Sequence, residues 1–264
     1  MAEVAAGPLA EAARALALAG RWAQAASLLS LAAGADDAER AVLAVAEAEV
    51  AVDHDFWCRT ERGSEALSRA SGAVADAPDG AALAFDLELL QLRHDYAAEL
   101  FGPDGLPRFG PDGRDVAVAG ELTARAGRLR AAAPDRGRGA AATFYAGLIA
   151  DNLRGDAAAA RSLFAAALDA AGDDLIESEA LRHLGYHLGE DGEVEQARQM
   201  WERATELRQR AGAVPYVLSQ QLLLAGLARD GGNADEARVL AGQVRRWARA
   251  LGVGILEAGA AELS

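Results

Sequence analysis

Residues 181–210 read LRHLGYHLGEDGEVEQARQMWERATELRQR. Apolar residues recur at helical spacing on both sides of the Asp191-Gly192 turn. Leu181, Leu184 and Leu188 precede it, and Ala197, Trp201 and Ala204 follow it. Side chains three and four residues apart share one face of a helix. Glycine between two such stripes marks a reversal of the chain. The stretch therefore predicts two antiparallel helices. Ala197 and Ala204 are small enough for the partner helix to approach closely, and Trp201 fills the gap between them.

The same arrangement recurs along the chain. GRWAQAASLL begins at Gly20, GDAAAARSLF at Gly155, GEVEQARQMW at Gly192 and GNADEARVLA at Gly232. After each glycine comes Ala25, Ala160, Ala197 or Ala237, then Leu29, Phe164, Trp201 or Ala241, then Ala32, Ala167, Ala204 or Val244. Repetition of one unit is the mark of a stacked-repeat architecture. Helix formers dominate throughout and no stretch alternates in the manner of a strand. Six hairpins are expected: 3–19 with 22–33, 37–60 with 64–76, 80–101 with 115–132, 138–153 with 156–171, 175–190 with 193–211, and 215–230 with 233–251. A short helix over 253–262 would cap the end. Residues 1–264 would form one all-α domain.

These residues resemble the tetratricopeptide repeat family. Leu181, Leu184, Gly185 and Leu188 fall on its first-helix W-x2-L-G-x2-Y pattern, and Ala197, Trp201 and Ala204 on its second-helix A-x3-F-x2-A pattern. The fourth pair matches through Phe144, Gly147, Leu148, Ala160, Phe164 and Ala167, and the sixth through Leu224, Ala225, Ala228 and Ala237. The likeness is best over 138–251, where the repeats are longer than the family's ~34 residues. It implies a right-handed α-solenoid whose first helices line a concave groove. In this family such a groove usually binds an extended peptide or a partner helix. The fold alone does not fix the function.

The composition excludes several chemistries. The formal net charge is −14, which disfavours a phosphate backbone as partner. All 26 basic residues are arginine, so P-loop, Schiff-base and lysine general-base chemistry are absent. Arginine without lysine also fits a GC-rich bacterial genome. The single cysteine, Cys58, fits a reducing cytoplasm. The first residues read unlike a signal peptide, and no apolar run approaches a membrane span. A cytoplasmic protein without cofactor is expected.

Candidate site residues fall on the first helices. Asp53 and His54 in the second pair face His94 and Asp95 in the third, a His–Asp combination suited to general-base catalysis. Counting back from Ala66 buries Asp53; counting from Gly63 exposes it. Tyr145, Arg182 and Tyr186 are candidates for ligand binding. His183 and His187 share a helix face and are weak metal-ligand candidates, because HLGYH lacks the glutamate of HExxH. Cys58, one turn from His54, reads as a small buried hydrophobe. The segment FGPDGLPRFGPDGRD, 101–115, is strong turn chemistry and predicts an insertion over about 102–114 in the third hairpin. Arginines at 125–130, 203–210 and 245–249 read as solvated second-helix faces. The leading expectation is a peptide- or protein-binding scaffold with no membrane or nucleic-acid partner, compatible with a homodimer. The alternative is a small-molecule-binding protein or enzyme whose pocket opens on the concave face.

Overall fold

The structure is a computed structural model that describes residues 5–77 and 80–263. The expected helix start at residue 3 and the expected turn at Pro78 lie outside the described residues. Among the described residues the chain forms thirteen α-helices and one π-helical segment, with no strand. They are α1 (Ala6–Leu18), α2 (Trp22–Leu29), α3 (Asp37–Cys58), α4 (Gly63–Asp76), α5 (Ala81–Leu100), α6 (Val116–Ala132) and α7 (Arg136–Leu148). The π-helical segment Ile149–Leu153 follows, then α8 (Ala157–Ala170), α9 (Asp174–Glu190), α10 (Val194–Arg210), α11 (Val214–Asp230), α12 (Ala234–Leu251) and α13 (Gly254–Glu262). No helix among the described residues is long and apolar enough to cross a membrane.

Local chemistry sets the helix ends. The carboxylates of Asp36, Asp115, Asp135, Asp156 and Asp173 accept hydrogen bonds from first-turn backbone N–H groups of α3, α6, α7, α8 and α9. Each such cap satisfies a donor the helix itself cannot and is worth about 1 kcal/mol. Two boundaries differ from expectation. The helix expected over 22–33 stops at Leu29, and the one expected over 138–153 changes to π geometry at Ile149.

Consecutive helices pack on each other, α1 on α2, α3 on α4, α7 on α8, α9 on α10 and α11 on α12. Two glycines let large side chains approach closely. A Cβ on Gly185 would lie 2.6 Å from the Trp201 indole nitrogen, and one on Gly147 would lie 2.6 Å from the Phe164 ring. Trp201 is only 7% exposed and donates from its indole N–H to the Arg182 carbonyl at 2.9 Å. The small-residue positions on the first helices thus receive the large residues of the second helices.

The two ends of the chain meet. One apolar cluster joins Ala13, Trp22 and Leu29 of α1 and α2 and Val50 and Trp57 of α3 to Leu218 of α11, Val244 and Ala248 of α12, and Leu256 of α13. A second cluster runs from α5 to α9 through Leu92, Leu122, Phe144, Phe164 and Ala180. Between these clusters the odd-numbered helices from α3 to α13 turn side chains toward a shared space.

Candidate functional site

That space is a cavity of about 240 Å³. Each wall comes from a different part of the chain. Helix α3 contributes Phe56 and Trp57, and Arg59, which caps its C-terminus, follows. Helix α5 contributes Arg93, Tyr96 and Leu100; α7 contributes Phe144, Tyr145 and Leu148; α9 contributes Glu179, Arg182 and His183. Arg208 of α10, Tyr216 and Ser219 of α11, and Ile255 of α13 complete the circuit. Phe101, Pro107 and Phe109 of the 101–115 loop border it as well. The lining is thus an apolar, aromatic surface interrupted by guanidinium, phenol and carboxyl groups.

The backbone is unusual at two of these positions. Arg59 ends α3 with a φ of 56°, in the left-handed region, and its guanidinium lies over the Phe101 ring at 3.2 Å from the centroid. The π-helical segment carries Asn152 to the cavity wall. There its amide donates to the Tyr96 hydroxyl at 2.6 Å, and its carbonyl accepts from the Gly110 N–H of the loop at 2.8 Å. π turns inside α-helices are frequent at functional sites. Here the π turn ties α5 and the loop to one residue. Arg114 fixes the loop further by donating to the carbonyls of Gly110, Glu99 and Arg108.

Arg208 is 1% exposed and faces inward, against the expectation of a solvated second-helix arginine. It binds the Glu179 carboxylate, donates to the Tyr216 carbonyl at 2.9 Å and donates to Gln220 Oε1 at 3.2 Å. Its position follows the same row as Ala197, Trp201 and Ala204, so the helical period itself carries it inward. Arg182 donates to Gln220 Oε1 at 2.9 Å and to the Ser219 carbonyl at 3.4 Å. Burial, with the neighbouring Arg208 charge, pulls the Arg182 pKa down to about 9. Burial pulls Arg59 down to about 10. Burial also works against the Arg93 charge, but the surrounding Tyr145, Tyr216 and Asp53 outweigh it and hold that guanidinium above its ordinary value. The Tyr96 and Tyr145 phenols are raised, chiefly by burial, and stay protonated.

The sequence-derived candidates divide between this cavity and other places. Tyr145, Arg182 and His183 stand on the cavity wall. Asp53 sits behind it, buried, accepting from the Trp22 indole N–H at 2.8 Å and the Tyr216 hydroxyl at 3.2 Å, with Arg93 at 3.9 Å. Burial raises its pKa, and the Arg93 charge opposes that rise. His54 points elsewhere, 3.3 Å from Thr60 Oγ1 and tilted against Trp22. It borders an outer cleft of about 450 Å³ with Arg62, Glu65 and Arg69. Arg69 there is already paired with Glu47 and Glu65. His94 contacts Ser64 Oγ at 3.3 Å and Asp95 at 3.4 Å, and Asp95 is bound by Arg125. His54 and His94 thus lie on either side of Asp55, which accepts from Thr60 and the Gly63 N–H, rather than in the cavity. Tyr186 is 49% exposed and outside the cavity.

His183 stacks on Phe164 at 4.7 Å, and burial lowers its pKa. His187 is buried, with Nε2 3.4 Å from Asp151 and no hydrogen bond at either ring nitrogen. No group of three histidine, cysteine or acidic side chains among the described residues is placed to hold a metal ion.

Sequence reasoning did not single out Arg59, Arg93 or Tyr216; it noted Glu179 only as a neighbour of His183 and placed Arg208 on a solvated face. Arg93 was within reach, since it shares a row with Tyr96 and Leu100 one residue before His94. Nothing in the sequence marks Arg59. Compared with known proteins, the chain matches no protein-family model and no curated protein.

Proposed function

We propose that the hairpins form a closed tetratricopeptide-like solenoid whose central cavity binds a small molecule. One observation carries this reading. The last helices pack back on the first, so α3, α5, α7, α9 and α11 all contribute walls to one cavity where a peptide-binding solenoid would present a long groove. A cavity of about 240 Å³ lies just below the ~300 Å³ at which ligand pockets usually begin, room for a small organic ligand rather than for an extended chain. Its wall follows the usual composition of such sites, mostly apolar and aromatic with a few convergent polar groups. The competing reading is a peptide scaffold, with Tyr145, Arg182 and Tyr186 as contacts. It is weakened by Tyr186 standing outside the space that the other two share.

Ala97 borders the cavity and offers a test. Ala97→Phe adds a ring into the open volume. A thermal-shift screen of small aromatic fragments should yield hits that quench tryptophan fluorescence through Trp57. Those hits should vanish in Ala97→Phe while its own melting temperature holds. Hits that bind the two proteins equally well would place the ligand outside the cavity and defeat the reading.

A further inference from the structure

Building on the small-molecule reading, we infer that the cavity takes a small anion, an aromatic or otherwise flat apolar body bearing a carboxylate or phosphate, with the charge received by Arg59 and Arg182. The charge inventory leads there. Four guanidiniums line the cavity, Arg59, Arg93, Arg182 and Arg208. Two carboxylates answer them: Glu179 binds Arg208, and Asp53 lies 3.9 Å from Arg93. Arg59 and Arg182 form no ion pair among the described residues. The chain carries 40 acidic residues against 26 basic ones, so carboxylates are plentiful, yet Asp55 and Glu179 reach these two only at longer range, without an ion pair.

Their hydrogen bonding shows the same gap. Arg59 Nε and Nη2 are buried without a hydrogen-bond partner, and the group is held by the Phe101 ring instead of by an oxygen. The acceptors of Arg182 are neutral, the Ser219 carbonyl and the Gln220 amide oxygen. The Trp57 indole N–H is also buried and unpartnered. Arg59 and Trp57 thus present buried donors without an acceptor, which cost free energy that a ligand's acceptor would recover, while Arg182 is bonded but not neutralised. Guanidinium forks are suited to carboxylate and phosphate oxygens, which they bind in a bidentate manner. The depressed pKa values of both arginines reflect the same unmet demand, since an anion beside either one would raise it again. Phe144 and Leu148 supply the apolar wall against which a flat body would rest.

The test uses three naphthalene probes on the full chain at pH 7.5 and fixed ionic strength: 1-naphthol, 1-naphthoate and 1-naphthyl phosphate. Calorimetric titration should show at least one of the two anions binding about tenfold more tightly than naphthol, a difference of about 1.4 kcal/mol. Arg59→Gln removes a side chain that holds no other part of the fold by a hydrogen bond. It should erase most of that preference. Equal binding of naphthol and both anions would overturn the anion inference while leaving the small-molecule reading standing. A preference that persists in both Arg59→Gln and Arg182→Gln would also overturn it, by placing the anion elsewhere. Failure of all three probes to bind, with a fragment screen equally empty, would remove the small-molecule reading itself.

Discussion

The Tyr216 hydroxyl donates to Asp53 Oδ1 at 3.2 Å, joining α11 to α3 across a separation of 163 residues. The two helices belong to the ends of the chain that meet in the first apolar cluster. Trp57 reinforces the contact, its ring edge-on to Tyr216 at 5.0 Å between centroids. A hydrogen bond of this kind typically contributes ~1 kcal/mol, and removing a buried acceptor that serves two donors costs more. Tyr216→Phe should lower stability by about 1 kcal/mol in urea melts, and Asp53→Ala by about 1–3 kcal/mol, because the Trp22 indole loses its acceptor too. If both variants melt like the parent protein, this contact does not hold the ends together.

Trp201 is the wedge of its hairpin. Trp201→Ala should cost roughly 3–5 kcal/mol, as the loss of a buried aromatic does. Two glycines on the facing helix give a finer measure. A Cβ on Gly185 would fall 2.6 Å from the indole nitrogen, whereas one on Gly189 would sit 3.7 Å from the ring, at ordinary contact distance. Gly185→Ala should destabilise clearly, and Gly189→Ala should be neutral or mildly stabilising through helix propensity. Denaturant midpoints that rank the two the other way would contradict the packing.

The His94–Asp95 pair makes a pH-dependent contribution of defined sign. The hydrogen bond to Asp95 raises His94 above its ordinary 6.5, and the same bond, with Arg125, lowers Asp95 below 3.8. The His94 contribution is complete below pH 6.5 and is lost as pH rises through the raised folded value. The Asp95 contribution is present above pH 3.8 and is lost as pH falls through the depressed folded value. His183, lowered by burial, acts oppositely to His94 and disfavours the fold as pH drops below 6.5. The stability difference between the parent protein and His94→Gln should therefore be largest near pH 5 to 6 and shrink toward pH 8. A difference that grows with rising pH would reverse the assignment.

Arg114 pins the 101–115 loop by its bonds to three backbone carbonyls. Removing it should free the loop without disturbing the helices, since Gly110 still donates to the Asn152 carbonyl. Trypsin should cut Arg114→Ala after Arg108 several-fold faster than it cuts the parent, with an unchanged helical melt. Equal cleavage rates would show that Arg114 does not restrain the loop.

Sequence alone determined the helices and the way neighbours pack. The periodic stripes around Gly192 and Gly155 are local signals, and Gly185 beneath Trp201 follows from residues within one hairpin. Helix ends were legible to within about a residue where a glycine turn separates two stripes, as at Gly192 and Gly232. The π turn at Ile149 was not, because the apolar pattern runs through it unbroken and only the contacts of Asn152 with α5 and the loop distinguish it. The meeting of the chain ends was out of reach for a related reason. It depends on contacts between helices far apart in the chain, such as Tyr216 with Asp53 across 163 residues, and no local spacing encodes them. The cavity residues follow from that closure. On a helix one position turns a side chain by about 100°, enough to put Arg93 in the cavity and His94 on the flank beside Ser64. Asp53 likewise could be counted into or out of the core until Trp22 and Tyr216, from opposite ends of the chain, were seen to converge on it.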